Sequence, residues 1–165
     1  MPRISSASSA WVLTLCALAA ACMDPIHSDA VAALGGETSG VRKGPEHRPS
    51  QPCLVCHGAD GPGSPEWSIA GTAYTTRGGT DALSGATVVL TEPDGSEHRL
   101  PTNQAGNFYI DARRWQPTYP LRARLESGSE KVEMQSLING PTSCATCHRG
   151  SGGPRSVPPI YLRVQ

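Results

Sequence analysis

The sequence predicts a mainly β chain: a small antiparallel β-sandwich with irregular segments on both flanks. Three observations predict it. Apolar and polar residues alternate with period two through much of 66–138, and nothing there repeats at the 3.6-residue period of a helix. Turn-forming residues interrupt that alternation at short intervals. Eighteen glycines and fifteen prolines in 165 residues, with hydrophobic residues at 38% and aromatics at 5%, indicate a modest core and much loop.

Residues 1–21 read as an export signal. Arg3 gives a weakly basic start, residues 10–21 form an apolar run, and small residues precede Cys22. The run is too short to span a bilayer as a permanent helix. The order Leu18-Ala19-Ala20-Ala21-Cys22 resembles a bacterial lipoprotein cleavage site. That resemblance implies lipidation at Cys22 and anchoring to a bacterial membrane, with the rest of the chain in the periplasm or at the cell surface. Ordinary cleavage after Ala19 or Ala21 is the alternative. Residues 22–51 are small and polar, without sustained periodicity, and read as a flexible tether.

The segment 52–65 carries Cys53-Leu54-Val55-Cys56-His57 and then Gly58, Gly61, Pro62, Gly63 and Pro65, which stop any helix after about a turn. Strand patterning comes next. Trp67, Ile69, Gly71 and Ala73 alternate with Ser68, Ala70, Thr72 and Tyr74, and Ala86, Val88 and Leu90 alternate with Thr87, Val89 and Thr91. Glu92-Pro93-Asp94-Gly95 predicts a turn, residues 97–102 return, and Asn103-Gln104-Ala105-Gly106 predicts another turn before 107–111. Leu121, Ala123 and Leu125 mark a fifth strand, and Ser127-Gly128-Ser129 turns into 131–136 with Val132 and Met134. Six strands of alternating direction would bring both ends of the sandwich region to the same end of the fold. The final segment, 139–165, contains Cys144-Ala145-Thr146-Cys147-His148 and an apolar tail expected to run extended against the body.

The middle region resembles the carboxypeptidase regulatory-like family. The resemblance rests on Gly71-Thr72-Ala73-Tyr74, on residues 83–90 (Leu-Ser-Gly-Ala-Thr-Val-Val-Leu), on Asp94-Gly95, and on residues 102–110 with their Gly-Asn-Phe turn. It implies a transthyretin-like or immunoglobulin-like sandwich with a structural or binding role and no catalytic residues.

The paired Cys-x-x-Cys-His stretches carry the chemistry. Two thiols three residues apart can each reach one vinyl group on the same porphyrin edge, and the adjoining histidine can ligate the iron. Cys16 falls in the signal and Cys22 at its end, so the other four cysteines all belong to the two motifs. The reading is two covalently bound haem c groups, anchored by Cys53 and Cys56 and by Cys144 and Cys147, with His57 and His148 as proximal ligands. A four-thiolate zinc site and a pair of redox dithiols also fit C-x-x-C spacing, but neither requires the histidines.

At those residues the chain resembles small dihaem c-type cytochromes, which implies one-electron transfer with redox protein partners. A carrier is expected rather than a catalyst, because no acid–base cluster accompanies the motifs. A haem peroxidase, reductase or sensor with one open iron position is the alternative, and a zinc-stapled β-sandwich binding module is a third reading. Fourteen acidic and fourteen basic residues cancel, leaving no basic stripe for nucleic acid. Candidate distal ligands are His47, Met134 and His98, with His27 and Met23 further from the motifs. Of these, Met134 is expected to pack with Val132 in the core rather than to ligate. Asp60 comes after the first motif, whereas Arg149 and Arg155 come after the second, so the second haem is expected to have the higher potential.

Overall fold

A computed structural model describes residues 25–41, 43–149 and 157–163. The chain divides into two compact units, Met1–Gly35 and Gly36–Gln165. In the first, helix α1 spans Pro25–Ala33. Proline suits the first helical turn, where its missing N–H has no partner to lose, and the alanines at 30, 32 and 33 favour helix in the later turns. The tether expected over 22–51 is therefore partly helical. Its later part is also fixed: Ser50 N donates to Thr72 Oγ1 at 2.9 Å, Asn103 Nδ2 to Pro45 O at 2.7 Å, and Asn107 Nδ2 to His47 O at 3.1 Å. Cys22 and the export signal lie outside the described residues. Among those described, no helix is long and apolar enough to cross a membrane.

The first helix or strand of the second unit is a single helical turn, α2 (Leu54–His57), after which the chain builds a two-sheet β-sandwich. Its strands are β1 (Trp67–Tyr74), β2 (Thr87–Thr91), β3 (Glu97–Pro101), β4 (Asn107–Asp111), β5 (Arg122–Ser127), β6 (Glu130–Glu133) and β7 (Ile160–Tyr161). One sheet has the order β4-β1-β7 and the other β3-β2-β5-β6. All pairings are antiparallel except β1 with β7, which is parallel. The fold class expected from the alternation is present, and β7 is added from the tail.

The period-two pattern produces the layers. Val88 and Leu90 of β2 point into the core beside Leu100 and Leu125, opposite Ile69, Ala73 and Phe108 of the other sheet. Val89 points the other way, between its cross-strand partners Arg99 and Arg124. Those arginines pair with Glu97 and Glu126, so a charged ladder with apolar stems covers Val89. The β2–β3 turn is the one written in the sequence: Gly95 takes φ +91° and its N–H donates to Glu92 O at 3.0 Å.

β1 organises the rest. All eight of its residues are buried. A register shift between Trp67 and Ile69 breaks the alternation in β1. Trp67 stacks on Tyr109 (centroids 4.3 Å apart), while Phe108 faces the interior opposite Gly71. After β6 the chain crosses between sheets. Ile138 bridges Leu121, and Ser143 then bridges Ala70 along the free edge of β1, in parallel.

Candidate functional site

Both cysteine motifs lie against β1. In the first, α2 forms because His57 N and Gly58 N close onto Cys53 O and Leu54 O at 2.8 and 2.9 Å. Glycines then let the loop fold back over it. Gly63 N donates to Cys56 O at 2.7 Å, and a Cβ on Gly63 would lie 2.9 Å from His57 Nδ1. The second motif is a 3₁₀ turn over Cys144–Thr146. Ser143 and Cys144 point to opposite sides, as neighbours on an extended edge must. Ser143 Oγ accepts a hydrogen bond from Leu54 N at 2.7 Å, across 89 positions of sequence. Cys144 instead packs on the hydrophobic core. The motifs are adjacent, as the strand count anticipates, but for another reason: the edge of β1 recruits the second motif directly, rather than β6 ending beside β1.

The two histidines are held alike. His57 Nδ1 lies 2.8 Å from Pro65 O, and His148 Nδ1 lies 2.8 Å from Pro158 O. A carbonyl oxygen only accepts, so each Nδ1 carries a proton, and in the neutral form of the ring Nε2 is then the free nitrogen. Each proline sits two residues before a strand, β1 in one case and β7 in the other. Those strands are parallel neighbours. Each motif thus feeds a strand whose approach supplies the carbonyl that orients its histidine. His57 is buried, with its ring stacked on Trp67 at 3.7 Å and 8°. Spacing alone does not reveal these partners, although a proline closing each Gly/Pro-rich stretch before an extended segment is visible in the sequence.

The thiols differ in reactivity. Burial raises Cys144 to about 12 and Cys53 to about 11, whereas Cys147 is exposed. In the chain prepared without haem, iodoacetamide at about pH 8 should alkylate Cys147 first and Cys144 last, because only the thiolate reacts. Peptide mass spectrometry over a time course reads the order, and equal rates at the two positions would refute it.

An apolar cleft of about 190 Å³ opens beside the second motif. Val88, Leu90, Phe108 and Ile138 line it, together with Met134 and His148. Met134 is 36% exposed and Val132 43% exposed. The core packing expected for this pair is therefore absent: β6 is an edge strand with every residue exposed, and these side chains rim the cleft. The cleft is lined almost wholly by apolar side chains, which suits it to an apolar ligand.

His98 is placed elsewhere. Its ring stacks on Trp115 at 4.0 Å, Nε2 lies 3.3 Å from Glu92 Oε2, and it does not line the cleft. It reads as a structural residue between β3 and the loop after β4. His47 does approach a motif, with its ring centroid 5.9 Å from that of His57. His27 lies on α1 of the other unit, and Met23 and Arg155 lie outside the described residues.

The donor set fits haem c: paired thiols, a histidine oriented to offer Nε2 beside each pair, and an apolar cleft at one of them. Among the described residues, no three Cys, His, Asp or Glu side chains converge as a metal-binding group. Comparisons with protein-family models, with characterised proteins and with solved structures find no match to this chain.

Proposed function

We propose that this chain is an exported dihaem c-type cytochrome that passes single electrons between redox protein partners, in the periplasm or at the cell surface. Cys22 would tie it by lipid to a bacterial membrane. The observation that carries the reading is the repeated hydrogen bond from His57 Nδ1 to Pro65 O and from His148 Nδ1 to Pro158 O. A histidine that gives Nδ1 to a carbonyl is fixed in orientation with Nε2 as its free nitrogen, which is how protein surroundings orient imidazole toward a metal.

Bound haem supplies the one-electron chemistry of its iron. The chain's own residues hold and tune it. Cys53, Cys56, Cys144 and Cys147 serve as thioether anchors, and His57 and His148 as proximal ligands. Val88, Leu90 and Phe108 exclude water at the second site. The hydrogen bond from Leu54 N to Ser143 Oγ keeps the two anchor segments together. The sandwich acts as the scaffold, in keeping with the non-catalytic role implied by its resemblance to regulatory-like modules.

The test is chemical. The chain exported in a host with haem-attachment machinery should show two haems per polypeptide by pyridine haemochrome and by intact mass. Cys56→Ala with Cys53→Ala, or the corresponding pair at Cys144 and Cys147, should each leave one. A haem-free protein carrying one equivalent of zinc would replace this reading with the zinc-stapled module.

A further inference from the structure

We propose that the two sites are built unequally: His47 completes the first site as a second imidazole ligand, and Met134 completes the second as a thioether ligand. The inference rests on the dihaem reading and assigns what that reading leaves open, which further side chain would hold each haem.

His47 has no sequence relation to the first motif beyond lying ten positions before His57. Three hydrogen bonds nevertheless pin its loop to the outer face of β1 and β4, from Asn103 to Pro45 O, from Asn107 to His47 O and from Ser50 N to Thr72. Its Nδ1 is bonded to a carbonyl, Gly44 O, as those of the two motif histidines are, which makes Nε2 the free nitrogen of the neutral ring. Its centroid lies 5.9 Å from that of His57, with the ring planes at 41°. Two imidazoles sharing one metal ion stand about 6 Å apart by centroid, the sum of two metal–nitrogen bonds of about 2 Å and two ring radii.

At the second site no histidine besides His148 lines the cleft, but Met134 does. Its backbone N–H donates to Ala123 O at 2.9 Å, which continues the β5 pairing and fixes where the flexible thioether starts. A methionine 36% exposed at the rim of an apolar cleft gains little from packing where it is. Its sulfur is the one neutral soft donor among the residues lining that cleft other than the two anchoring cysteines.

The consequence is direction. Methionine ligation raises haem potential relative to histidine ligation. Electrons delivered to the first site would therefore fall to the second, the same order that Arg149 beside the second motif and Asp60 beside the first favour.

Optical and EPR spectra of the full dihaem chain test this. The expected ferric spectrum contains one bis-imidazole low-spin species and one species with the long-wavelength thioether–iron charge-transfer band. His47→Ala should convert only the first species to a high-spin, carbon monoxide-binding form when reduced, and the thioether band should persist. Met134→Ala should abolish that band and leave the bis-imidazole signal. Should His47→Ala impair folding, His47→Met offers a second route, with two thioether bands expected and a raised potential at the first site. A His47→Ala protein with two low-spin haems, or a Met134→Ala protein with its band intact, would overturn the assignment while leaving the dihaem reading standing. Fewer than two haems on the unsubstituted chain would overturn both.

Discussion

Phe108→Ala should destabilise the sandwich by about 3–5 kcal/mol, the range for truncating a buried aromatic. Phe108 is the chain's single phenylalanine, is 1% exposed, and reaches from β4 into both the core and the floor of the apolar cleft. Against a typical domain stability of about 5–15 kcal/mol, such a loss removes a large fraction. For a chain of this size it should lower the melting temperature by roughly 10–15 °C. Thermal unfolding monitored by circular dichroism checks it, and a fall of only a few degrees would mean that the surrounding side chains collapse into the space.

Gly71→Val should act through the same spot and strike the second motif as well. A Cβ at Gly71 would lie 2.6 Å from Phe108 Cζ, 2.8 Å from Cys144 Cβ and 3.0 Å from Cys144 Sγ. The phenyl ring is locked in the core and Cys144 is tied to the edge of β1 through Ser143, so neither can retreat cheaply. Overpacking of this kind costs about 1–3 kcal/mol, and the added methyls of valine place it toward the upper end. The specific consequence is displacement of Cys144. On the proposed dihaem reading, haem content should fall from two to one per chain, with the remaining haem on Cys53 and Cys56, mapped by peptide mass spectrometry. Two haems at full occupancy with an unchanged melting temperature would refute the contact. Because Gly71 and Phe108 face each other across β1 and β4, the double variant Gly71→Val with Phe108→Ala should lose less than the sum of the single losses.

These residues also mark where sequence reading succeeds and where it stops. β2 and the turn at 92–95 are legible because a local alternation and a Pro-Asp-Gly signal suffice to define them. β7 is legible only as an extended tail, since two residues become a strand solely through Ala73 and Tyr74. Helix α1 escapes notice in a segment dominated by glycine and small polar residues, although Pro25 and its alanines are an available cue. The same division holds at the site. C-x-x-C-H spacing singles out six residues without any fold. Ser143, the carbonyls of Pro65 and Pro158, and the Trp67 face beneath His57 are tertiary partners, and no spacing rule reaches them. His98 and Met134 show the converse: equal as donors in the sequence, they are separated by what surrounds each one.

The hydrogen bond from Leu54 to Ser143 closes a loop of 89 positions. Bringing together the ends of a flexible segment that long costs roughly 4 kcal/mol in chain entropy, recovered only when β1 has been flanked on both edges. The contact is thus among the most non-local in the molecule, and non-local closures slow folding. A nascent or partly opened chain holds two separate cysteine motifs, and only the closed sandwich makes them neighbours. Redox communication between the sites would then serve as a reporter of topology, present when the chain is fully folded and lost as soon as the edge of β1 opens.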